Sequence, residues 1–342
     1  MIQKNKIKFF ILLTLMLLLC WTLAITIGPA DLSFIEVIKI LTSTIPGLSS
    51  FIPLEGIEES KITIVLKIRL PRIVLATLVG MALASVGTSF QGLFKNPMAD
   101  PYIIGISSGA ALGAAFAIVM HLPNIIGQYA IPLSAFIVSL LSIFIVYNIA
   151  REGHKVTIYN LLLSGVALGS FLSALMSLLM VINSREMSQI VYWLLGSFSM
   201  KNWSHVQIAA PLIILGIIIL NFFNRELNVM LFGDDTAHNL GIDIEKTKKY
   251  ILVFSSLIVA TAVSVSGTIG FVGLIIPHTV RLITGPDHRI LMPVSAIIGG
   301  IFLVMADTLA RTILNGTEIP IGIVTALFGG PFFIYLLKRK NS

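Results

Sequence analysis

Few side chains here have the type and spacing to do chemistry, and the most conspicuous are charges in an oily setting. Arg69 and Arg72 flank Leu70-Pro71, and Arg311 follows Asp307 by four residues at the end of an apolar run. A guanidinium fork pairs with carboxylates in bidentate fashion. Three such groups on one side of a membrane would make a docking surface for a carboxylate-bearing protein. The alternative is that they anchor span ends, stems in lipid and charged heads at the interface. Asp307 is an acid inside a predicted span. Buried acids mark ion-coupled carriers, but the spacing to Arg311 equally describes an ion pair along one helix surface.

Asp234 and Asp235 sit in the second charged region, the polar stretch Arg225 to Tyr250. Leu231 to Leu240 predicts a short helix: Gly233 breaks the preceding apolar run, Asp234 or Asp235 serves as N-cap, and Gly241 stops it. A second short turn is expected over Asp243 to Lys249. Two small amphipathic helices between apolar runs form either a surface for a partner to grip or an ordinary connecting loop. Further serines, Ser164, Ser170, Ser173 and Ser177, fall with Gly165, Ala167 and Leu168 in a span more polar than lipid contact requires, so it is a candidate for lining a pathway.

Other chemistry is missing. Without a GxxxxGK[ST] loop the chain has no ordinary cradle for ATP phosphates, and any ATP-driven role needs a separate subunit. No HExxH occurs, and the six histidines, His121, His154, His205, His238, His278 and His288, are scattered over loops and helix ends, so no metal site is expected. Cys20 is alone, which rules out an internal disulfide. Gly105-Ile106-Ser107-Ser108-Gly109 lacks the GxSG spacing of a membrane serine protease.

The elements that must position these residues are membrane spans. Of 342 residues 56% are hydrophobic and only 11% charged, a composition no soluble domain of this size carries. At roughly 20 apolar residues per span, about ten are expected: Phe9 to Ile27, Leu70 to Phe90, Ala99 to Met120, Tyr129 to Ala150, Leu161 to Val181, Val206 to Phe223, Tyr250 to Ser266, Gly270 to Ile283, Leu291 to Thr308 and Ile321 to Leu337. The span from Gly270 is short for a crossing. Lys4, Lys6 and Lys8 precede a first run too long for a signal peptide. Most lysines and arginines gather on one side if the N-terminus is inside, which puts both termini and Arg225 to Tyr250 in the cytoplasm. The net charge of +7 is spread over short loops and does not mark a nucleic-acid binder. Outside, Ser33-Phe34-Ile35-Glu36 matches a capping box opening a helix to Leu41 on the membrane surface. Gly105, Gly109 and Gly113, Gly165 with Gly169, and Gly80 with Ala84 form small-residue ridges for close helix packing. The whole reads as one all-α, polytopic membrane domain.

The motifs then accumulate into a resemblance. They are Arg69-Leu70-Pro71-Arg72; Gln91 to Pro101 followed by Gly105 and Gly109; Leu163 to Gly169; Gly233 to Gly241; Gly270 to His278; Asp287-His288-Arg289; and Glu318 to Gly322. In this order, covering most of the chain from Lys67 onward, they resemble the permease subunits of ABC importers for ferric siderophores, haem and vitamin B12. The resemblance implies a vitamin B12 permease-like fold of ten spans in a bacterial or archaeal cell membrane. It implies a second permease subunit, identical or not, two cytoplasmic ATPase subunits that bind the ATP and Mg, and an external substrate-binding protein. The chain itself would be no enzyme and bind no cofactor. By motif match, Gly233, Asp234, Asp235, Ala237, Leu240 and Gly241 would couple to the ATPase. Arg69, Arg72 and Arg311 would dock the binding protein. Ser164, Gly165, Ala167, Leu168, Ser170 and Ser173 would line the path, with Thr325 to Gly330 of the tenth span. An iron complex is the expected cargo, with a corrinoid or an ion-coupled carrier as alternatives.

Overall fold

The computed structural model describes residues 6–28, 30–45, 54, 56–153, 155–314 and 316–340; Lys4 and His154 lie outside them. The chain is helical almost throughout. In order come α1 (Lys6–Thr26), α2 (Phe34–Ser43), α3 (Glu59–Thr63), a π turn (Ile64–Arg69), α4 (Leu70–Leu93), α5 (Ile106–Val119), α6 (Pro123–Ile126) and α7 (Ala130–Ala150). A hairpin of two-residue strands follows, β1 (Arg151–Glu152) and β2 (Lys155–Val156). Then come α8 (Ile158–Ile182), α9 (Met187–Leu194), α10 (Trp203–Phe222), α11 (Asn224–Met230), α12 (Asp234–Asn239), α13 (Ile244–Ser266), α14 (Val272–Thr284), α15 (His288–Ala310) and α16 (Ile321–Lys340).

Among the described residues seven helical stretches are long and apolar enough to cross a membrane, and three shorter apolar helices, Ile106–Val119, Val272–Thr284 and Ile321–Tyr335, complete the expected ten. The short crossing expected from Gly270 is met by α14, which has 13 residues. The predicted span from Ala99 starts late: residues before Ile106 form turns, and Gly105 enters α5 with a left-handed φ of +82°. The eight-residue α9, unseen in the sequence, buries Ile190 between α5 and α8.

α4 is the axis of the bundle. Of its most apolar stretch 89% is buried, against 17% for α1 and α8. Lipid supplies no hydrophobic force to drive helices together, so close approach rests on small residues and shape. Glycines of α4 sit directly on glycines of its neighbours. A Cβ on Gly299 of α15 would come 2.5 Å from the Gly80 carbonyl oxygen, and one on Gly87 would overlap the carbonyl of Gly273 in α14. Gly109 and Gly113 do the same for α5 on α7, and Gly165 brings α8 against Ile103 and Ile104.

α4 is continuous with α3 through the π turn, where Leu70 N–H reaches back five residues to Val65 O. Pro71 has no N–H to offer, and the carbonyl of Leu66 accepts instead from the indole N–H of Trp203 at 2.9 Å. The expected capping box of α2 is present: Ser33 Oγ accepts from Glu36 N at 3.2 Å and Glu36 Oε2 accepts from Ser33 N at 2.8 Å.

Candidate functional site

The residues singled out by sequence collect at two ends of the bundle and on one flank. At the first end lie Arg69, Arg72 and Arg311, and their guanidinium groups turn inward. Arg69 and Arg311 are 5% and 8% exposed. Both donate to the last carbonyls of α1. Arg69 bonds Ile25 O, Thr26 O at 3.2 Å and Ala30 O at 3.4 Å, while Arg311 bonds Ala24 O. Helix ends leave carbonyls without intrahelical partners and carry partial negative charge, which cations relieve. Two arginines on the side that charge bias leaves poor in cations thus have a structural employment, the capping of α1.

Arg72 has a different partner. Its Nε and Nη2 form a two-pronged contact with Asp307 of α15, at 2.9 Å to Oδ2 and 2.9 Å to Oδ1, and its Nη1 bonds Glu318 Oε1 at 2.8 Å. Asp307 is 1% exposed. The expected pair with Arg311 is present at 4.0 Å, but it is buried and not on the helix surface, and the guanidinium from the neighbouring helix offers the closer fork geometry that a residue one turn along the same helix does not. Burial opposes the charge on Glu318, but hydrogen bonds from Arg72 and from Ser199 hold its pKa below the usual carboxylate value.

At the opposite end lies the polar loop. α11 ends at Met230, Gly233 takes the N-cap position of α12 with φ +115°, and Asp234 is the first helical residue, not the cap. Gly241, φ +79°, closes the turn as expected. The second short turn does not exist separately. Asp243 caps α13 by accepting from Lys246 N at 3.1 Å, and the helix runs unbroken from Ile244 into the bundle. Asp234 is gripped from two sides, by Lys95 Nζ at 2.6 Å and Lys248 Nζ at 3.3 Å. The hydrogen bond from Lys95, with the nearby Lys248, holds its pKa below the ordinary value. Ala237 is buried, whereas Asp235 and Gly241 face solvent. Leu240 is 61% and Phe232 79% exposed, one at each end of α12. A cleft of about 900 Å³ separates α12 and the base of α13 from β2 and the start of α8.

The flank is α8, and its predicted path residues divide. Ser164 and Gly165 are buried within the subunit, Gly165 against the 103–104 backbone. Ala167 and Ser170 face outward, Leu168 is half-buried, and Ser173 Oγ lies 3.5 Å from Ser108 Oγ of α5. Along α16, Thr325 is buried while Leu327 and Phe328 are exposed. Beside them the unwound segment Gly267 to Phe271 meets the ends of α9 and α16. Ser197 N donates to Ser266 O at 2.8 Å, Gly322 N to Leu195 O at 2.9 Å, and Tyr102 OH to Ile269 O at 2.9 Å. Irregular backbone at membrane depth survives only where protein or a cavity receives it; a cavity of about 410 Å³, lined by Thr268, Phe271, Gly322 and Leu327 among others, opens there. Sequence reading missed Lys95, Lys248 and Phe232 as parts of the loop end, although Lys95 stands in a recognised motif.

Known proteins are similar to this chain in sequence and in fold. The cobalamin import system permease protein BtuC of Halobacterium salinarum is 46% identical over 325 residues, 93% of this chain and 86% of that protein. The hemin transport system permease protein HmuU of Yersinia pestis is 42% identical, over 81% of this chain and 84% of its own. A solved ABC transporter in an inward-facing conformation superposes with a TM-score of 0.84 at 31% identity, covering 97% of this chain and 99% of that one. The family model described as the FecCD transport family matches residues 16–339. With its helices, ends and motifs in this order, the chain belongs to the FecCD transport family, the multi-pass membrane permeases of ABC importers.

Proposed function

We propose that the chain is the membrane half of an importer driven by a separate ATPase, with the Asp234 end and both termini in the cytoplasm. One observation carries this. α12 is pinned at its first residue by Lys95 and Lys248, yet offers Phe232 and Leu240 to solvent. Large apolar groups held out on a fixed short helix mark a protein contact. A second permease subunit covers the exposed face of α8 and, with α16, encloses the path. An external binding protein sits at the Arg72 end. There the arginines would exchange their present partners for its carboxylates, Glu318 being the most exposed of those partners at 41% of its side chain.

For the cargo, the reading is a metal macrocycle. The two relatives named above are named for cobalamin and hemin, and haem also satisfies the expectation of an iron complex. Among such macrocycles haem is the reading, with a corrinoid and a ferric siderophore as the alternatives. An ion-coupled carrier is disfavoured because Asp307, the acid it would use, is committed to Arg72.

Proteoliposomes holding the chain with its ATPase and binding protein should import haemin only with ATP. Haemin, cyanocobalamin and a ferric hydroxamate assayed in parallel would rank the cargoes. Replacing Asp234, Asp235 and Leu240 together should separate hydrolysis from uptake. Import driven by a proton gradient without ATP would sink the proposal.

A further inference from the structure

The charges that grip Asp234 do not stop at α12. Lys248 Nζ, bonded to Asp234 Oδ2 at 3.3 Å, also bonds Glu245 Oε1 at 3.3 Å. The other oxygen of that carboxylate, Oε2, accepts from the backbone N–H of Val156 at 3.0 Å. Val156 is buried and immediately precedes Thr157, whose side chain caps α8 by accepting from Asn160 N at 3.2 Å. The contacts therefore run from Lys95, just past the end of α4, through Asp234, Lys248 and Glu245, to the residue that leads into α8. Glu245 is the one side chain in this series that bonds to the segment leading into α8, and both Glu245 and Val156 line the 900 Å³ cleft.

The geometry points to Glu245 as a positioning residue for transport: a strut that carries displacement of α12 to the base of α8. This rests on the reading of α12 as the part moved by a separate ATPase. Exposed ion pairs add little to stability, typically about 0–1 kcal/mol each, so thermal strength is not what this series would supply. A carboxylate bonded to a backbone N–H is stronger and more directional than a pair of mobile side chains. α12 and α13 follow one another in the chain, so motion of one reaches the other through the backbone. The hairpin and α8 have no such link to α12 nearby in sequence, Val156 and Glu245 lying 89 positions apart. A non-covalent tie is the route by which α8, the helix with its outward face bare, can follow the loop. The bond needs an acceptor at position 245 and the correct reach; the charge is needed only for Lys248.

The test compares uptake per ATP hydrolysed in proteoliposomes holding the chain, its ATPase and its binding protein. The probe is whichever of haemin, cyanocobalamin and ferric hydroxamate the parent imports. Glu245→Ala should lower the ratio by about fivefold or more, with ATPase binding and basal hydrolysis unchanged. Glu245→Gln, which keeps an oxygen for Val156 N–H, should recover most of it. Lys248→Met leaves the Val156 bond and cuts the tie to Asp234, so it should also lower the ratio, and it serves if Glu245→Ala fails to assemble. A ratio within about twofold of the parent in either assembled variant would overturn the strut. A parent that binds no ATPase would overturn the permease reading instead, before any variant is made.

Discussion

Arg72 and Asp307, 235 positions apart in the chain, meet as a two-pronged ion pair that ties α4 to α15 at one end of the bundle. Removing one member of a buried pair typically costs about 3–5 kcal/mol, and the bond that Arg72 keeps to Glu318 sets the loss toward the lower figure. Asp307→Asn should therefore lower the melting temperature of the detergent-solubilised protein markedly. The joint change Arg72→Met with Asp307→Leu should recover much of the loss, since apolar replacement of a whole pair is often neutral. Equal melting of Asp307→Asn and parent would show the pair to be dispensable.

Arg69 makes a different demand. If its task is to cap α1, Arg69→Gln should raise hydrogen exchange around residues 24–28 by the loss of bonds to charged donors, about 1.5–3 kcal/mol in all. Binding-protein affinity would fall as a consequence. Loss of docking with exchange unchanged would return Arg69 to a purely docking role.

The rim helix α2 has a pH window. The hydrogen bond from Lys61, with those from Ser33, lowers the pKa of Glu36 from 4.5 to about 2. A carboxylate lowered in the folded state contributes stability above its unfolded value and loses it as pH falls through the folded one. Docking of α2 should thus be unchanged at pH 6 and loosen only as pH falls from 4.5 to about 2. A fluorophore on Ile35, 67% exposed, would report the change, and Glu36→Gln should abolish its pH dependence.

Gly87→Ala is expected to be among the most damaging single-methyl additions, because the new carbon would occupy the space of the Gly273 carbonyl. Backbone cannot yield as a side-chain tip can, and overpacking typically costs about 1–3 kcal/mol or more. Gly241→Ala meets nothing within 4 Å, and its penalty should be confined to the left-handed turn. Reversal of that order in melting experiments would contradict the packing described for α4 and α14.

Much of this was legible in the sequence where the signal is local or periodic. The capping box of Ser33 and Glu36 needs only three residues of spacing, and the spans follow from apolar run length. Gly80, Gly109 and Gly165 were readable as packing ridges because helical periodicity puts them on one face. What sequence could not show is where distant charges meet. Nothing in the order of residues says that Asp307 prefers Arg72 to Arg311, or that Lys95 reaches Asp234 from 139 positions away. The inward turn of Arg69 escaped for the same reason, since its partners are the bare carbonyls of another helix. α9 escaped because eight residues lie below the length at which a span announces itself. Asp243 to Lys249 passed for a separate turn because polar side chains hide the start of a helix whose remainder is apolar.

The π turn at Ile64–Arg69 gives the molecule an offset of one residue between its rim and its interior. Below it α4 keeps the phase that sets Gly80 and Gly87 on their neighbours; above it α3 keeps the phase that brings Lys61 to Glu36 at 2.8 Å. Each residue of an α-helix advances the azimuth by about 100°. Deleting a single residue from the turn would let ordinary α-helix run through it with Lys61 still facing the rim helix and the glycine contacts unmoved, whereas the same deletion between the turn and Gly80 would swing Lys61 away by that angle. The turn is thus the one place in this long helix where chain length can change without changing which way either end faces.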